Sequence, residues 1–552
     1  VNPITLLGDL LLNLLRAIQN LFARLLPVPE FVVLELTGDL PERRPLLHPL
    51  ERLLRPPPPS LEEIREQLDR IASHRKVLGI LLRFRDLKAG PAALEGLRRA
   101  LMRFRARGKQ VTAYLPIATL SEYYVASAAE RIFAPEGAEL FLLGPRAEVP
   151  FLRAALDRLG ILPQFHHIAE YKTATHPLLY ERMPPEHREQ LHVLLTNLLE
   201  HVVSEVARSR GLDPERVRAA IERGVLSAQE ARAQHLVDGI AFEDELHAHL
   251  APGRRVRIEP WAQVRRRLPR RYRWRVREGQ TVGVVTLVGT IVPGESREFP
   301  IPMPRIGRRL SGSDTVTRAL RRAEQDRRVG AVVLHIDSPG GSAVASDVLW
   351  REVVRLGQRK PVVVHMGNVA ASGGYYVACG ARPIVASATT LTGSIGVVGG
   401  KLAFGGMLER HGVHPEVLAR PESGAMLSPY VPFAEREWVL LVDWMGEIYG
   451  RFKARVASGR GMSTEEVEGV ARGRVWTGAE ALARGLVDEI GDFEDAVRRA
   501  RELARLPPWA PVRTIPPPRA VGVPPAPAGA MGALLNLLRE PALLLWDLKI
   551  RL

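Results

Sequence analysis

Two short stretches of this 552-residue chain combine glycine and serine in a way that suits acyl chemistry. One is Asp337-Ser338-Pro339-Gly340-Gly341-Ser342, directly after the apolar run AVVLHI. The other is Ala371-Ser372-Gly373-Gly374-Tyr375-Tyr376, after PVVVHM. In both, glycines stand where a strand gives way to a helix, and a helix start leaves backbone N–H groups pointing outward. Such donors stabilise an oxyanion by roughly 3–4 kcal/mol each in hydrolases. A serine at that turn is exposed and aimed. The plain alternative is two tight turns without chemistry.

The basic residues are unevenly split: 69 arginines against 8 lysines, namely Lys76, Lys88, Lys109, Lys172, Lys360, Lys401, Lys453 and Lys549. Lysine, unlike arginine, can lose its proton near neutral pH, so each lysine is a weak candidate base. The single cysteine, Cys379, excludes a disulfide framework and a cysteine metal site. The histidines of "HH" at 166–167 and "EHREQLH" at 186–192 lack metalloprotease spacing and read as solvated helix faces. "GSIGVVGG" is not a dinucleotide fingerprint, and there is no phosphate loop. The expectation is no metal and no cofactor.

The elements that must position these residues occur twice. Tyr123-Tyr124-Val125-Ala126 falls on Tyr375-Tyr376-Val377-Ala378 at an offset of 252, and Ile132 falls on Ile384, Gly144 on Gly396, Gly160 on Gly412 and Pro163 on Pro415. LSAQEARAQHLVD (226–238) meets WTGAEALARGLVD (476–488) at an offset of 250. Several matches in order over such a length indicate a tandem duplication, with loop indels shifting the offset. Within each repeat, continuous β-branched runs alternate with helical patterns such as Asp314–Gln325, which predicts α/β domains with mostly parallel sheets. The layout is an amphipathic helix at 1–28, a first repeat at 29–250, an Arg-rich linker at 251–280, a second repeat at 281–500, a Pro-rich linker at 501–528 and an amphipathic tail at 529–552.

Net charge is +16, and Arg254–Arg277 holds 11 arginines with Trp261, Tyr272 and Trp274 interleaved. No zinc spacing, RNA-binding signature or helix-turn-helix pattern accompanies them, so an anionic membrane surface is a better partner than nucleic acid. Leu6–Leu26 is leucine-rich, with Asp9, Asn13, Arg16, Asn20 and Arg24 on one face. It reads either as a helix lying on a membrane or as one packed on the protein's own body. The uncharged window Pro361–Ala381 reads as strand, tight turn and helix rather than as a membrane span.

The turns "DSPGGS" and "ASGGYYVA", with "TGSIGVV" (392–398) and "VWTGAEALARGLVDEIG" (475–491), resemble the signal peptide peptidase A family, also called protease IV, in its long duplicated form. The resemblance covers about residues 30–500. It implies a fold like the Clp protease and the crotonases, and a serine endopeptidase with a Ser–Lys dyad that degrades membrane-derived peptides such as cleaved signal peptides. It also implies a ring of four chains and a bacterial membrane location, facing the extracytoplasmic side. By motif match Ser372 is the nucleophile, and Ser394 is the serine that hydrogen-bonds the catalytic lysine. In single-repeat members that lysine follows the serine within the same repeat. The corresponding place here is Gly424, which has no amine, but 252 residues earlier stands Lys172. Conversely, Ser372 maps to Leu120. The first repeat keeps the amine and the second keeps the hydroxyl. Gly373, with Gly340 or Gly341, would supply the oxyanion N–H groups.

Two other enzyme readings and one binding reading compete. A Clp-like triad would need a histidine about two dozen residues after the serine, where Gly396-Val397-Val398 stands and the nearest candidates are His411 and His414. A crotonase-type enzyme would need no serine at the turn. A membrane scaffold would bind lipid without proteolysis.

Overall fold

The computed structural model describes residues 3–44, 59–251, 253–269, 279–303, 307–516, 542–545 and 550–551. It divides into two compact units: Val1–Arg146 with Leu198–Gly279 and Arg551–Leu552, and Ala147–Asn197 with Gln280–Ile550. Each unit is built around one parallel sheet. In unit 1 the strands are β1 (Phe31–Gly38), β2 (Gly79–Leu87), β3 (Gln110–Tyr114), β4 (Arg131–Ala134), β5 (Gly239–Ile240) and β6 (Ile258–Pro260), in the order β5-β4-β3-β2-β1-β6. In unit 2 they are β7 (Thr281–Val288), β8 (Val329–Ser338), β9 (Val362–Ala371), β10 (Ile384–Ala386), β11 (Glu489–Ile490) and β12 (Val512–Thr514). Their order is β11-β10-β9-β8-β7-β12, the same sequence of neighbours six strands later.

The physics of each element explains the repetition. The run VGAVVLHI is almost continuously apolar, which suits a parallel strand covered on both faces, whereas FVVLELTG exposes Glu35 on one face. The helix Ser313–Gln325 buries Val316, Ala319, Leu320 and Ala323, one stripe at helical spacing. Tyr123 Oη donates to Leu236 O at 2.8 Å, and Tyr375 Oη to Leu486 O at 2.9 Å. Ile132 N and Ile384 N each donate to an aspartate at 2.7 Å, Asp238 and Asp488 respectively. These aspartates also pair with Arg210 and Arg460.

The compact units and the sequence repeats do not share boundaries. Residues 147–197 belong to the first repeat by sequence but to unit 2 by packing. The strand Leu162–His167 shows why: it runs antiparallel to Val398–Ala403, from Leu162 opposite Ala403 to His167 opposite Val398. That pair lies in a second sheet of unit 2, ordered Arg297–Met303, Gly307–Gly312, Thr290–Val292, Gly340–Ser342, Ala542–Leu545, Val398–Ala403, Leu162–His167. The tail, expected to be amphipathic, is described only in part. Its described pieces are strands, Ala542–Leu545 following Pro541, a residue that cannot sit within a helix without breaking it.

The leader forms helix α1 (Pro3–Leu25) with its polarity reversed relative to a soluble helix. Asp9, Asn13 and Asn20 are buried, while Leu7, Leu14 and Leu21 are about 60% exposed. No helix among the described residues is long and apolar enough to cross a membrane. The window Pro361–Ala381 is β9, a turn at Ser372 and the helix Gly373–Ala378. Of the Arg-rich linker, residues 270–278 lie outside the described residues, as do residues 517–528 of the Pro-rich linker.

Candidate active site

Strand β9 forks at its end. Val364–Met366 pairs with β10, while Val369–Ala371 pairs with the short strand Leu391–Gly393. The second pairing places two serines side by side, one after each of its strands. Ser372 follows β9 with φ +53°, and its N–H donates to Gly393 O at 2.8 Å. Ser394 follows Gly393 with φ +52°. A left-handed backbone at a non-glycine residue costs about 1–3 kcal/mol and persists only where the surroundings enforce it. Two such residues stand side by side here, and Ala169, Arg472 and Arg505 of the same unit share this backbone.

Lys172 enters from the first-repeat segment, at the turn before the 3₁₀ helix Thr173–Thr175. Its Nζ lies 2.7 Å from Ser372 Oγ, 3.0 Å from Ser394 Oγ and 2.9 Å from Ser394 O. All three residues are buried, Lys172 being 1% exposed. Burial holds the amine well below its ordinary value of 10.5, and no charged group opposes that shift. An amine kept neutral beside a hydroxyl can take that hydroxyl's proton. Of the other lysines, Lys109, Lys360 and Lys401 donate to backbone carbonyls, and Lys88 and Lys453 pair with carboxylates.

The glycines sit against the serine turn. A Cβ on Gly373 would stand 2.6 Å from Ser346 Oγ and 3.1 Å from Gly341 N. Only glycine permits this approach of two backbone turns. The pair Gly340 and Gly341 is resolved by Ser338, whose hydroxyl accepts from Gly340 N–H at 3.2 Å and donates to Gly289 O at 2.6 Å. Gly340 N–H is thereby committed, while Gly341 N lies 3.1 Å from where a Cβ on Gly373 would stand. Ser338 and Ser346 were not singled out from sequence, although "DSPGGS" contains the first.

Two expectations change. Ser372, expected to be exposed, is fully buried, and the strand Ala542–Leu545 pairs antiparallel with the adjoining Gly340–Ser342 and with Val398–Gly399. Of the histidines expected on solvated helix faces, His192 is exposed on the helix Pro185–Arg210, but the others are not so placed. His166 and His167 are on a strand, and His187 is buried against His176, ring centroids 5.4 Å apart, with His167 4.9 Å from His176 on its other side. Burial lowers His176 to about 3 and His187 to about 4, so these rings pack as neutral, apolar-like groups. Among the described residues no three His, Cys, Asp or Glu side chains are grouped to hold a metal ion.

In unit 1 the position matching Ser372 is Leu120, buried at the start of the helix Leu120–Ala126, which Thr119 and Glu122 cap reciprocally. Gly424, matching Lys172, is exposed in the 3₁₀ turn Glu422–Ala425. His411 and His414 are exposed as well.

Comparison with known proteins agrees with this reading of the duplication. The family model described as "Peptidase family S49" matches residues 103–257 and again 355–507, starts 252 residues apart and ends 250 apart. "Serine protease SPPA, chloroplastic" of Arabidopsis thaliana is 31% identical over 453 residues, covering 81% of this chain and 66% of that protein. "Protease 4" of Salmonella typhi is 31% identical over 468 residues, covering 82% of this chain and 73% of that protein. "Putative signal peptide peptidase SppA" of Enterococcus faecium is 37% identical over 191 residues, covering 34% of this chain and 55% of that protein.

Proposed function

The chain belongs to peptidase family S49 and is a serine-type peptidase, and from that premise we propose that it is an endopeptidase with a Ser372–Lys172 dyad acting on extended apolar peptides, such as signal peptides left in a membrane after cleavage. The observation that carries the reading is an amine 2.7 Å from a serine hydroxyl in a pocket without a counter-charge. Neutral Lys172 accepts the Ser372 proton as Oγ attacks the substrate carbonyl carbon. Ser394, bonded to Nζ through both Oγ and O, keeps the amine aimed. The N–H groups of Gly373 and Gly341 receive the developing oxyanion, a contribution of roughly 3–4 kcal/mol per donor. Collapse of the intermediate breaks the C–N bond, the lysine ammonium returns its proton to the leaving amine, and water then hydrolyses the acyl-enzyme with Lys172 again as base.

The shape of the cleft edges supports an extended peptide as substrate. The strands Gly340–Ser342 and Val398–Ala403 flank one strand-wide position, and the leucine-rich segment Ala542–Leu545 fills it in this chain, backbone paired on both sides. A peptide bound there is extended and read through alternate side chains. The membrane partner is supported by α1, whose leucine face is exposed while its polar face is buried. Arg267 Nη1 donates to Pro27 O at 2.9 Å and Arg257 Nη2 to Val28 O at 3.0 Å, which ties the arginine-rich stretch to the end of that helix. Exposed leucines beside arginines suit an anionic lipid surface; a bacterial membrane, on its extracytoplasmic side, is the location proposed with that partner. A homotetramer is the assembly proposed with it.

A serine-directed acylating probe tests the reading. It should label Ser372 in the intact chain and lose that labelling in both Ser372→Ala and Lys172→Arg, since guanidinium keeps charge but cannot accept a proton. Full labelling and activity in Lys172→Arg would overturn the dyad.

A further inference from the structure

The dyad takes its amine from one repeat and its hydroxyl from the other, so something must hold the lysine loop in place. The loop itself offers little: Ala169 has φ +71°, and Lys172 N–H reaches only Ala169 O, at 3.3 Å. A second-repeat turn, Ala471–Val475, meets this loop on one side and the Ser394 loop on the other. Tyr171 N–H donates to Arg472 O at 3.2 Å, Gly473 N–H to Ile395 O at 2.9 Å and Ser394 N–H to Arg474 O at 2.6 Å. Gly473 has φ +77°, and a Cβ there would stand 2.4 Å from Lys172 N. Side chains close the joint. The Arg474 guanidinium lies over the Tyr171 ring at 3.5 Å and pairs with Glu189 at 3.3 Å. Glu189 also accepts from Tyr171 Oη at 3.1 Å, and Gln190 Oε1 accepts from Val475 N–H at 3.0 Å.

We propose that Arg474, with Tyr171 and Glu189, is a positioning device for the catalytic lysine, a clasp that keeps Lys172 dry and within reach of Ser372. The inference rests on the dyad reading above. None of the three touches the reacting atoms. They act through the loop, one residue from Lys172 in the case of Tyr171. The chain supplies an internal comparison. At the offset of 250 that aligns Val225–Ser227 with Val475–Thr477, Arg223-Gly224 stands where the second repeat has Gly473-Arg474. The counterparts of Tyr171 and Glu189 in the second repeat are Ser423 and Val439. The clasp residues thus stand at the positions that serve the amine, and the matching positions of the other repeat lack them.

A loosened clasp admits water to Lys172, and a hydrated amine regains its proton. A rise of one unit in its value cuts the neutral fraction about tenfold at any pH well below that value. Arg474→Ala should therefore lower kcat about tenfold on the acid limb of the profile, leave KM nearly unchanged, and move that rising limb of the kcat–pH profile up by about one unit. Arg474→Ala combined with Glu189→Ala should be no worse than either change alone, because both remove one joint. Probe labelling of Ser372 should return in Arg474→Ala near pH 10, which an unfolded chain would not show. An unmoved pH profile, an effect confined to KM, or additive losses in the double variant would overturn the clasp. If Lys172→Arg is fully active, the dyad reading fails instead, whatever Arg474 does.

Discussion

Replacing Lys172 with methionine should abolish peptidase activity and yet make the protein more stable at neutral pH, with the sign reversing in alkali. In the unfolded chain the amine has its ordinary value of 10.5, and folding lowers it by burial alone. Between the lowered value and 10.5 the unfolded chain holds a proton that the folded chain lacks. Wild-type stability therefore rises with pH through that window. If the folded amine is neutral at pH 7, removing its proton costs about 4.8 kcal/mol, at about 1.36 kcal/mol per unit over roughly 3.5 units. Against this stand the contacts with Ser372 Oγ, Ser394 Oγ and Ser394 O, each worth roughly 1 kcal/mol net.

Methionine matches the length of the stem, makes neither set of terms, and should gain about 2 kcal/mol at pH 7. For a unit of roughly 320 residues, with about 2.1 cal/mol/K of unfolding entropy per residue, this is a rise of about 3 °C in Tm. At pH 10 the deprotonation cost has fallen below about 1 kcal/mol, and the wild type should be the more stable by about 2 kcal/mol. Urea unfolding of both proteins at a series of pH values reads the crossing directly, near pH 8. Stability curves that run parallel with pH would refute the reasoning, because they would mean that the folded amine keeps its proton.

Three further outcomes follow from the site and its surroundings. Gly373→Ala should reduce kcat by about a hundredfold or more with little change in KM, because the added methyl meets Ser346 Oγ and Gly341 N where the oxyanion donors converge; unchanged hydrolysis of a chromogenic peptide would place the oxyanion elsewhere. Ending the chain at residue 528 should lower KM for short apolar peptides, since Ala542–Leu545 no longer pairs along Gly340–Ser342; equal KM values in truncated and full chains would count against that cleft. Leu7→Ser, Leu14→Ser and Leu21→Ser together should release the protein from phosphatidylglycerol vesicles without loss of soluble peptidase activity, and retention on the vesicles would exclude α1 as the docking face.

How much of this was legible in the residues depends on what each depends on. The duplicated parallel sheets were readable because apolar runs and the Tyr-Tyr-Val-Ala match are local patterns. Lys172, Ser372 and Ser394 were reached by motif and register, which survive duplication intact. That Gly340 N–H is taken by a side chain was not readable, because it turns on where the Ser338 hydroxyl points. The burial of His176 and His187 was missed because spacing reports residue type, whereas ring packing depends on which strand and helix meet. The buried face of α1 was equally hidden, since an amphipathic pattern identifies two faces and not which of them is covered. The unit boundaries were hidden for a similar reason: pairing of Leu162–His167 with Val398–Ala403 moves a first-repeat segment into the second unit without leaving a mark in composition.

That pairing decides how the split dyad behaves in an assembly. Lys172 and Ser372 come from different repeats, yet both lie in unit 2 of one chain, with Nζ and Oγ in contact. A chain carrying Ser372→Ala has an intact amine and no nucleophile; a chain carrying Lys172→Ala has the reverse. If the lysine segment stays with its own chain, every site formed on co-expressing the two variants lacks one member of the dyad, and the mixture should be as inactive as either variant alone. If neighbouring chains exchange the segment around Leu162–His167, a fraction of sites unites a wild-type amine with a wild-type hydroxyl, and random pairing would restore about a quarter of them. Mixed assemblies isolated through two different affinity tags, then assayed for peptide hydrolysis, distinguish the cases. Recovered activity would show that the dyad is completed between chains, and the intrachain contact would have to be abandoned.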